Sequence, residues 1–195
     1  IISSSMGPKG FQFGVMPEHN SLFSIMKSNG YKTNAFYGGD FSFDGISEYL
    51  IAQDIDYMSN FYEEYQSGDD KSLGNWWGYF DHVMFSRSIE EIKKMKSPMF
   101  NLIVTITNHE ALDLKDEKRQ NEYLTRTDEI ISKMDTEKAS VYAKNKMRFS
   151  SMLYTDDCVR DFINQYKELP NYENTIFVIT GDHSTHHPLI HTLMM

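Results

Sequence analysis

Residues 100–107 read FNLIVTIT, and this stretch predicts a buried β-strand. It is an almost uninterrupted run of apolar and β-branched residues, which suits a strand that packs on both faces. Residues 175–180, TIFVIT, have the same character and predict a second buried strand. Strands of this kind are typical of parallel sheets, because helices shield both faces of such a sheet from water.

The segments around these strands alternate between helical and extended patterns. Apolar residues recur at helical spacing over residues 17–29, 81–96 and 140–169, which predicts three helices. A β-prone run over residues 33–37 predicts a third strand, and residues 41–53 read as a loop that enters a short helix. This alternation predicts an α/β fold whose sheet is covered by helices on both faces.

The composition narrows the class of protein. The chain has 195 residues, 40% of them hydrophobic, which suits one domain or a large part of one. Its net charge of −9 argues against general nucleic-acid binding, which depends on the neutralisation of phosphates. The single cysteine, Cys158, excludes an internal disulfide framework and a cysteine-based zinc cluster. No apolar run reaches the ~18–20 residues that a membrane span requires.

Polar residues follow the two apolar strands, at the edge where α/β sheets bind their ligands. Asp182 and His183 come directly after Gly181, and a carboxylate beside an imidazole suits Mn²⁺ or Zn²⁺ better than Ca²⁺. The alternative for this pair is a capped loop without a ligand. Asn108 and His109 follow the other strand, where His109 is a candidate anion ligand or general acid–base. A structural loop histidine is the alternative there.

Gly38, Gly39 and Asp40 end the third predicted strand. The glycines would allow the backbone to approach a ligand closely, and Asp40 would accept a hydrogen bond from a substrate hydroxyl or contact a cation. A tight turn capped by the aspartate explains the same residues equally well.

Two further groups of residues bear on function, and so does the absence of three common catalytic and nucleotide-binding motifs. His186, His187 and His191 match no standard metal-ligand spacing, and we take one of them, His187, as a candidate substrate-binding residue. Trp76 and Trp77 are adjacent and suit either a platform for a sugar or lipid or an anchor that holds a loop to the core. The sequence has no phosphate-binding glycine loop, serine nucleophile elbow or dinucleotide fingerprint, which argues against kinases, P-loop enzymes and Rossmann dehydrogenases.

Four stretches, taken in order, resemble a known family. They are SLFSIMKSNGYKTNAFYGGDFSFDG (21–45), WWGYFDHVMF (76–85), FNLIVTITNHE (100–110) and YENTIFVITGDHS (172–184). The series resembles the lipoteichoic acid synthase-like phosphoglycerol transferases, in the sulfatase branch of the alkaline phosphatase superfamily. The resemblance runs across nearly the whole chain and implies an α/β/α sandwich around a mixed, mostly parallel sheet.

The resemblance also implies a mechanism. It implies one divalent metal ion, with Mn²⁺ expected and Zn²⁺ or Mg²⁺ as alternatives, held in part by Asp182 and His183. A threonine would form a covalent phosphoglycerol intermediate, and His109 matches the family's histidine that contacts the phosphoglycerol. The implied partners are a phospholipid or phosphoglycerol donor and a glycan or polymer acceptor at the cell membrane, outside the cytoplasm. The remaining candidate substrate-binding residues are Asp40, Asn108 and His187.

Parts of the family pattern are missing from the chain. The threonine nucleophile and an early glutamate ligand are expected upstream of Ile1, together with membrane helices. We therefore treat residues 1–195 as a single sulfatase-like catalytic domain that is truncated at both ends, and we expect it to be inactive alone. Residues 41–48 contain neither the Trp nor the Arg that hold glycerol phosphate in the lipoteichoic acid synthases. Two alternatives stay open: a sulfatase-type hydrolase with an upstream formylglycine, and a non-catalytic ligand-binding relative.

Overall fold

The computed structural model describes residues 20–109 and 112–181. The chain divides into two compact units, Ile1–Ile106 and Thr107–Met195, which are described separately. No helix within the described ranges is long and apolar enough to cross a membrane.

The first unit combines short helices with five strands among its described residues. These are α1 (Leu22–Ser28), β1 (Lys32–Tyr37), α2 (Ile46–Ala52), β2 (Tyr57–Met58), α3 (Phe61–Ser67), β3 (Gly74–Asn75), β4 (Gly78–Tyr79), α4 (Asp81–Ile92) and β5 (Met99–Val104). The described residues of the second unit contain the α-helices α5 (Glu117–Ile131), α6 (Thr136–Lys144) and α7 (Lys146–Tyr166).

β1 is the central strand of a parallel three-stranded sheet with the order β2–β1–β5. Lys32 lies opposite Met99 and Tyr37 lies opposite Val104, so β1 and β5 end at the same edge of the sheet. Residues 33–37 of β1 are all buried, and α1, α3 and α4 contact this strand. The parallel sheet with its helices confirms the predicted α/β fold class and the strand predicted over residues 33–37.

The helix predicted over residues 17–29 begins only at Leu22, because Asn20 and Ser21 lie outside the helix and Ser21 caps it. Ser21 and Ser24 form a reciprocal capping box, in which each side-chain oxygen accepts a hydrogen bond from the other residue's backbone N–H. Gly30 follows the helix with a φ of 84°, a left-handed conformation that glycine adopts without strain. Local sequence signals therefore set both ends of α1.

A two-stranded hairpin of β3 and β4 contacts the carboxyl end of β1 through glycines. Gly39 forms an isolated antiparallel bridge with Gly78, and the Tyr79 N–H donates to the Gly38 carbonyl at 3.0 Å. Gly78 has a φ of 132°, and a Cβ at this position would lie 2.0 Å from the Gly38 oxygen. Only glycine allows the two backbones to approach this closely.

The second unit packs α5 against α7 around a buried carboxylate. Asp157 is 6% exposed and accepts hydrogen bonds from the Tyr123 hydroxyl at 3.0 Å and from Arg126 and Arg160 at 2.5 Å each. Burial by itself would raise the pKa of Asp157, but the bonds from Arg126 and Tyr123 and the nearby positive charges hold this pKa below its usual value. The carboxylate thus stays ionised and joins the two helices.

The structure also corrects the helix predicted over residues 140–169 and the strands predicted over residues 100–107 and 175–180. The helix predicted over residues 140–169 is two helices, because the backbone at Asn145 (φ −123°, ψ 25°) leaves the helical region and ends α6 before α7 begins. β5 is only half-buried, because among the described strands it has β1 alone as a neighbour. It also ends at Val104, before the predicted Thr107.

The second apolar strand, predicted over residues 175–180, is not formed. Ile176, Val178 and Ile179 are 90%, 83% and 69% exposed, whereas Phe177 packs edge-on against Tyr166 with ring centroids 5.1 Å apart. An extended run becomes a buried strand only when another strand pairs with its backbone and other side chains cover its faces. Among the described residues no strand pairs with this segment.

Candidate functional site

The carboxyl ends of β1 and β5 define one edge of the sheet, and both strands lead into predicted site residues. In parallel α/β sheets this edge is where ligands bind. Asp40 follows β1 in the first unit, and Asn108 and His109 follow β5 at the start of the second unit.

Asp40 is held in a tight turn. Its Oδ1 accepts a hydrogen bond from the Ser42 N–H at 2.8 Å, and its carbonyl accepts one from the Phe43 N–H at 3.1 Å. The turn packs on the Tyr37 ring, since a Cβ on Gly39 would lie 2.6 Å from that ring. Burial, with the negative charge of Asp40, raises the pKa of Tyr37 to about 12, so this phenol stays neutral. The capping role considered for Asp40 is observed, and its substrate-binding role stays a prediction.

Asp81 controls the path of the chain beyond β5. It is the first residue of α4, is fully buried, and its Oδ1 accepts a hydrogen bond from the Ile106 N–H at 2.9 Å. The bond satisfies a backbone donor that has left the strand ladder, and it orients the segment that leads to His109. Sequence reasoning did not single out Asp81, although an acidic residue at the start of a predicted helix was the available signal.

Ser151 of α7 supports the loop that carries the predicted asparagine and histidine. Its hydroxyl lies 2.6 Å from Asn108 Oδ1, to which it donates, and 3.3 Å from the Thr107 carbonyl oxygen. Ser151 and Thr107 are buried at 2% and 1% exposure, whereas Asn108 and His109 are exposed. The Ser151 hydroxyl therefore holds the loop to α7, and the loop exposes the Asn108 amide and the His109 imidazole to solvent. Nothing in the local sequence around Ser151 indicated this contact.

Three predicted site residues, Asp182, His183 and His187, lie outside the described residues. Among the described residues, no group of three or more His, Cys, Asp or Glu side chains is arranged to hold a metal ion. Two open cavities of about 310 and 380 Å³ lie along α5, α6 and α7, and no predicted site residue lines either of them. The metal-ligand assignments therefore stay predictions.

Comparison with known proteins identifies the family. The model of the sulfatase family matches residues 3–190. The lipoteichoic acid synthases of Staphylococcus aureus strains USA300 and NCTC 8325 are each 29% identical to the chain over 180 residues. These residues make up 90% of the chain and 25% of each relative, so the chain spans about a quarter of the length of these proteins.

Two solved structures have a similar fold. The lipoteichoic acid synthase LtaP from Listeria monocytogenes aligns with a TM-score of 0.58 at 18% identity, over 81% of this chain and 34% of that one. A protein of the alkaline phosphatase superfamily from Vibrio parahaemolyticus aligns with a TM-score of 0.55 at 21% identity, over 77% of this chain and 32% of that one. These alignments confirm the fold class expected from the four sequence stretches, and the family match along most of the chain shows that it belongs to the sulfatase family.

Proposed function

We propose that the protein to which this chain belongs transfers phosphoglycerol, or a related phospho head group, from a lipid donor to a glycan or polymer acceptor at the cell envelope. The observation that carries the proposal is the similarity to lipoteichoic acid synthase along 90% of the chain. The parallel pairing of β1 and β5 supports it, because both strands end at the edge of the sheet that α/β enzymes use for ligands. The catalytic part would lie outside the cytoplasm, next to the membrane.

Asp182 and His183 would supply part of a divalent metal site, with Mn²⁺ as the expected ion. Their donor set, one carboxylate and one imidazole, fits Mn²⁺ or Zn²⁺, and Mg²⁺ is the less favoured choice because it prefers oxygen ligands. A bound ion of this kind would neutralise charge on the transferred phosphoryl group. His187 would contact the substrate.

The transfer would proceed in two balanced steps. A threonine of the complete protein, in its alkoxide form, forms a bond to phosphorus, and the phosphorus–oxygen bond to diacylglycerol breaks. Protonated His109 gives its proton to the departing diacylglycerol alkoxide. An acceptor hydroxyl then forms the new phosphorus–oxygen bond, His109 takes the acceptor's proton, and the bond to threonine breaks, which restores the threonine alkoxide. Asn108, fixed by the Ser151 hydroxyl at 2.6 Å, would orient the phosphoglycerol, and Asp40 would accept a hydrogen bond from a substrate hydroxyl.

A second candidate is a sulfatase-type hydrolase of sulfate or phosphate esters. The observation in its favour is that the family model matched over residues 3–190 is that of the sulfatases as a whole. This reaction would need a formylglycine, made from a Cys or Ser, in place of the threonine.

The test compares donor lipids and esters with the complete protein in the presence of Mn²⁺. Release of diacylglycerol from phosphatidylglycerol, together with a phosphoglycerol adduct on a threonine detected by mass spectrometry, is the expected result. His109→Ala should lower the rate by about 10²–10⁴-fold, because it removes the proposed acid–base. His191→Ala serves as the matched control and should leave the rate unchanged, because His191 has no role in the proposed reaction. Cleavage of an aryl sulfate without any cleavage of phosphatidylglycerol would overturn the transferase proposal and favour the hydrolase.

A further inference from the structure

A group of three aromatic side chains, two of them exposed, borders the Asp40 turn and has no part in the proposed reaction. We call Trp76, Trp77 and Phe43 the aromatic platform. The two tryptophan rings stack with centroids 3.8 Å apart and planes 31° apart, and Phe43 meets Trp77 edge-on at 5.4 Å. Trp76 is 63% exposed and Phe43 is 50% exposed. Grouped exposed aromatics of this kind mark binding surfaces more often than single exposed side chains do.

The backbone places this platform next to the candidate site. Trp76 and Trp77 form the turn between β3 and β4, and Gly78, the residue after them, bridges to Gly39. On the other side the Phe43 N–H donates to the Asp40 carbonyl at 3.1 Å. Backbone contacts of Gly78 and of Phe43 thus hold the aromatic platform to the turn that follows β1.

Within the platform the two tryptophans have different roles. Trp77 is half-buried and packs against both of the other rings, and its backbone N–H donates to Asn75 Oδ1 at 2.8 Å, so it anchors the turn. Trp76 stacks on this anchor and keeps most of its surface in water. The anchoring alternative considered for the pair therefore accounts for Trp77 and leaves the exposure of Trp76 unexplained.

The charges in the segments that carry the aromatic platform indicate which class of ligand it binds. Residues 38–50, which carry Asp40 and Phe43, contain three acidic residues and no Lys or Arg, and residues 72–80, which carry the two tryptophans, contain no charged residue. These segments supply no cluster of Lys and Arg, through which anionic lipid surfaces and nucleic acids are bound. A neutral sugar ring fits instead, because its C–H face stacks on an exposed indole while carboxylates such as Asp40 accept hydrogen bonds from its hydroxyls.

We propose that the aromatic platform of Trp76, Trp77 and Phe43 binds a neutral sugar ring of a glycan beside the Asp40 turn. The inference rests on the proposed function only in assigning this glycan the role of acceptor. Sugar binding itself requires no metal, donor lipid or turnover, and it is measured apart from them.

The two tryptophans of the platform are the only tryptophans in residues 1–195, and the part of the fluorescence response that is lost in Trp76→Phe reports on this surface. Cellobiose and maltose, titrated in the presence of a metal chelator, should give a saturable change in emission. Saturation-transfer NMR should show the largest transfer to the C–H protons of one sugar face. Trp76→Ala should weaken binding about tenfold, whereas Trp76→Phe should keep most of it because a ring remains.

Ile51→Ala is the matched control, since Ile51 is also 63% exposed and lies on the separate helix α2. Unchanged sugar binding in this variant, with unchanged circular dichroism in all variants, supports a specific site. The absence of a saturable response to either sugar, or equal binding by wild type and Trp76→Ala, overturns the proposal. A Trp76-dependent response to phosphatidylglycerol vesicles without one to sugars also overturns it, in favour of a lipid surface. Sugar binding without phosphoglycerol transfer would support the platform while contradicting the proposed function.

Discussion

Replacement of Asp56 by asparagine tests how the first unit is held together. Asp56 Oδ2 accepts hydrogen bonds from the Thr33 N–H at 2.9 Å and the Thr33 hydroxyl at 3.1 Å, at the start of the central strand. Its Oδ1 lies 3.2 Å from the Lys27 ammonium of α1 and 3.5 Å from that of Lys32. One carboxylate therefore joins α1, β1 and the loop before β2, and asparagine keeps its shape without its charge.

The expected loss in the free energy of unfolding is calculated from the pKa of the Asp56 carboxyl. The hydrogen bond from the Thr33 backbone, followed by the side-chain bonds and charge from Lys27 and Thr33, lowers the pKa of Asp56 from 3.8 to about 2. At ~1.4 kcal/mol per pKa unit the full shift corresponds to ~2.5 kcal/mol. Solvent screening reduces this, because the side chain keeps 20% of its surface exposed. We expect Asp56→Asn to lower the free energy of unfolding by ~1–2 kcal/mol at pH 7.

The lowered pKa of Asp56 also predicts how the stability difference between wild type and Asp56→Asn changes with pH. A carboxyl whose pKa is lower in the folded state stabilises the fold above its unfolded pKa, and this contribution is lost as the pH falls through the folded value. The difference between wild type and Asp56→Asn should thus be constant above pH 5 and shrink between about pH 4 and pH 2. Urea denaturation of both proteins, followed by circular dichroism at a series of pH values, measures this difference in the free energy of unfolding.

The control is Asp54→Asn, which removes an exposed carboxylate that pairs with the same lysine, Lys27. Solvent-exposed ion pairs contribute little, so this variant should resemble wild type. A stability difference for Asp56→Asn that does not change with pH, or no difference at pH 7, would refute the reasoning.

Three further substitutions test contacts around the candidate site and in the second unit. Gly78→Ala should destabilise the first unit by ~2–4 kcal/mol, because its Cβ would lie 2.0 Å from the Gly38 oxygen at a φ that alanine avoids; tryptophan fluorescence during unfolding measures it. Ser151→Ala should cost ~1 kcal/mol and speed amide exchange in the loop at Asn108, because the hydrogen bond at 2.6 Å is lost. Asp157→Asn should cost ~2–3 kcal/mol in thermal unfolding, because the buried carboxylate that accepts from Arg126 and Arg160 loses its charge.

Each of these substitutions has a matched control. Gly30→Ala shares a positive φ, but a Cβ there meets nothing within 4 Å, so it should cost only ~1 kcal/mol. Ser150→Ala removes a neighbouring buried hydroxyl that bonds within its own helix, and it should leave amide exchange in the loop unchanged. Asp161→Asn removes an exposed partner of Arg160 and should leave the melting temperature nearly unchanged. Equal effects of a substitution and its control would contradict the corresponding argument.

The candidate site was partly predictable from sequence. Asp40, Asn108 and His109 were found because polar residues follow β-prone runs, and this pattern is local in the chain. The side chains that hold them were not found. Ser151 lies 43 residues from Asn108, and Asp81 lies 25 residues from Ile106, so only folding brings these pairs together.

The sequence by itself determined the strand at residues 33–37, the start of α4 at Asp81 and the end of α1 before Gly30, because propensity, helical spacing and capping act within a few residues. Tertiary structure decided the rest. The FNLIVTIT run pairs with β1 and becomes a strand, whereas the TIFVIT run, of the same character, has no described strand beside it and stays exposed. A strand depends on hydrogen bonds to a partner that is distant in sequence, and for that reason two similar sequences have different structures here.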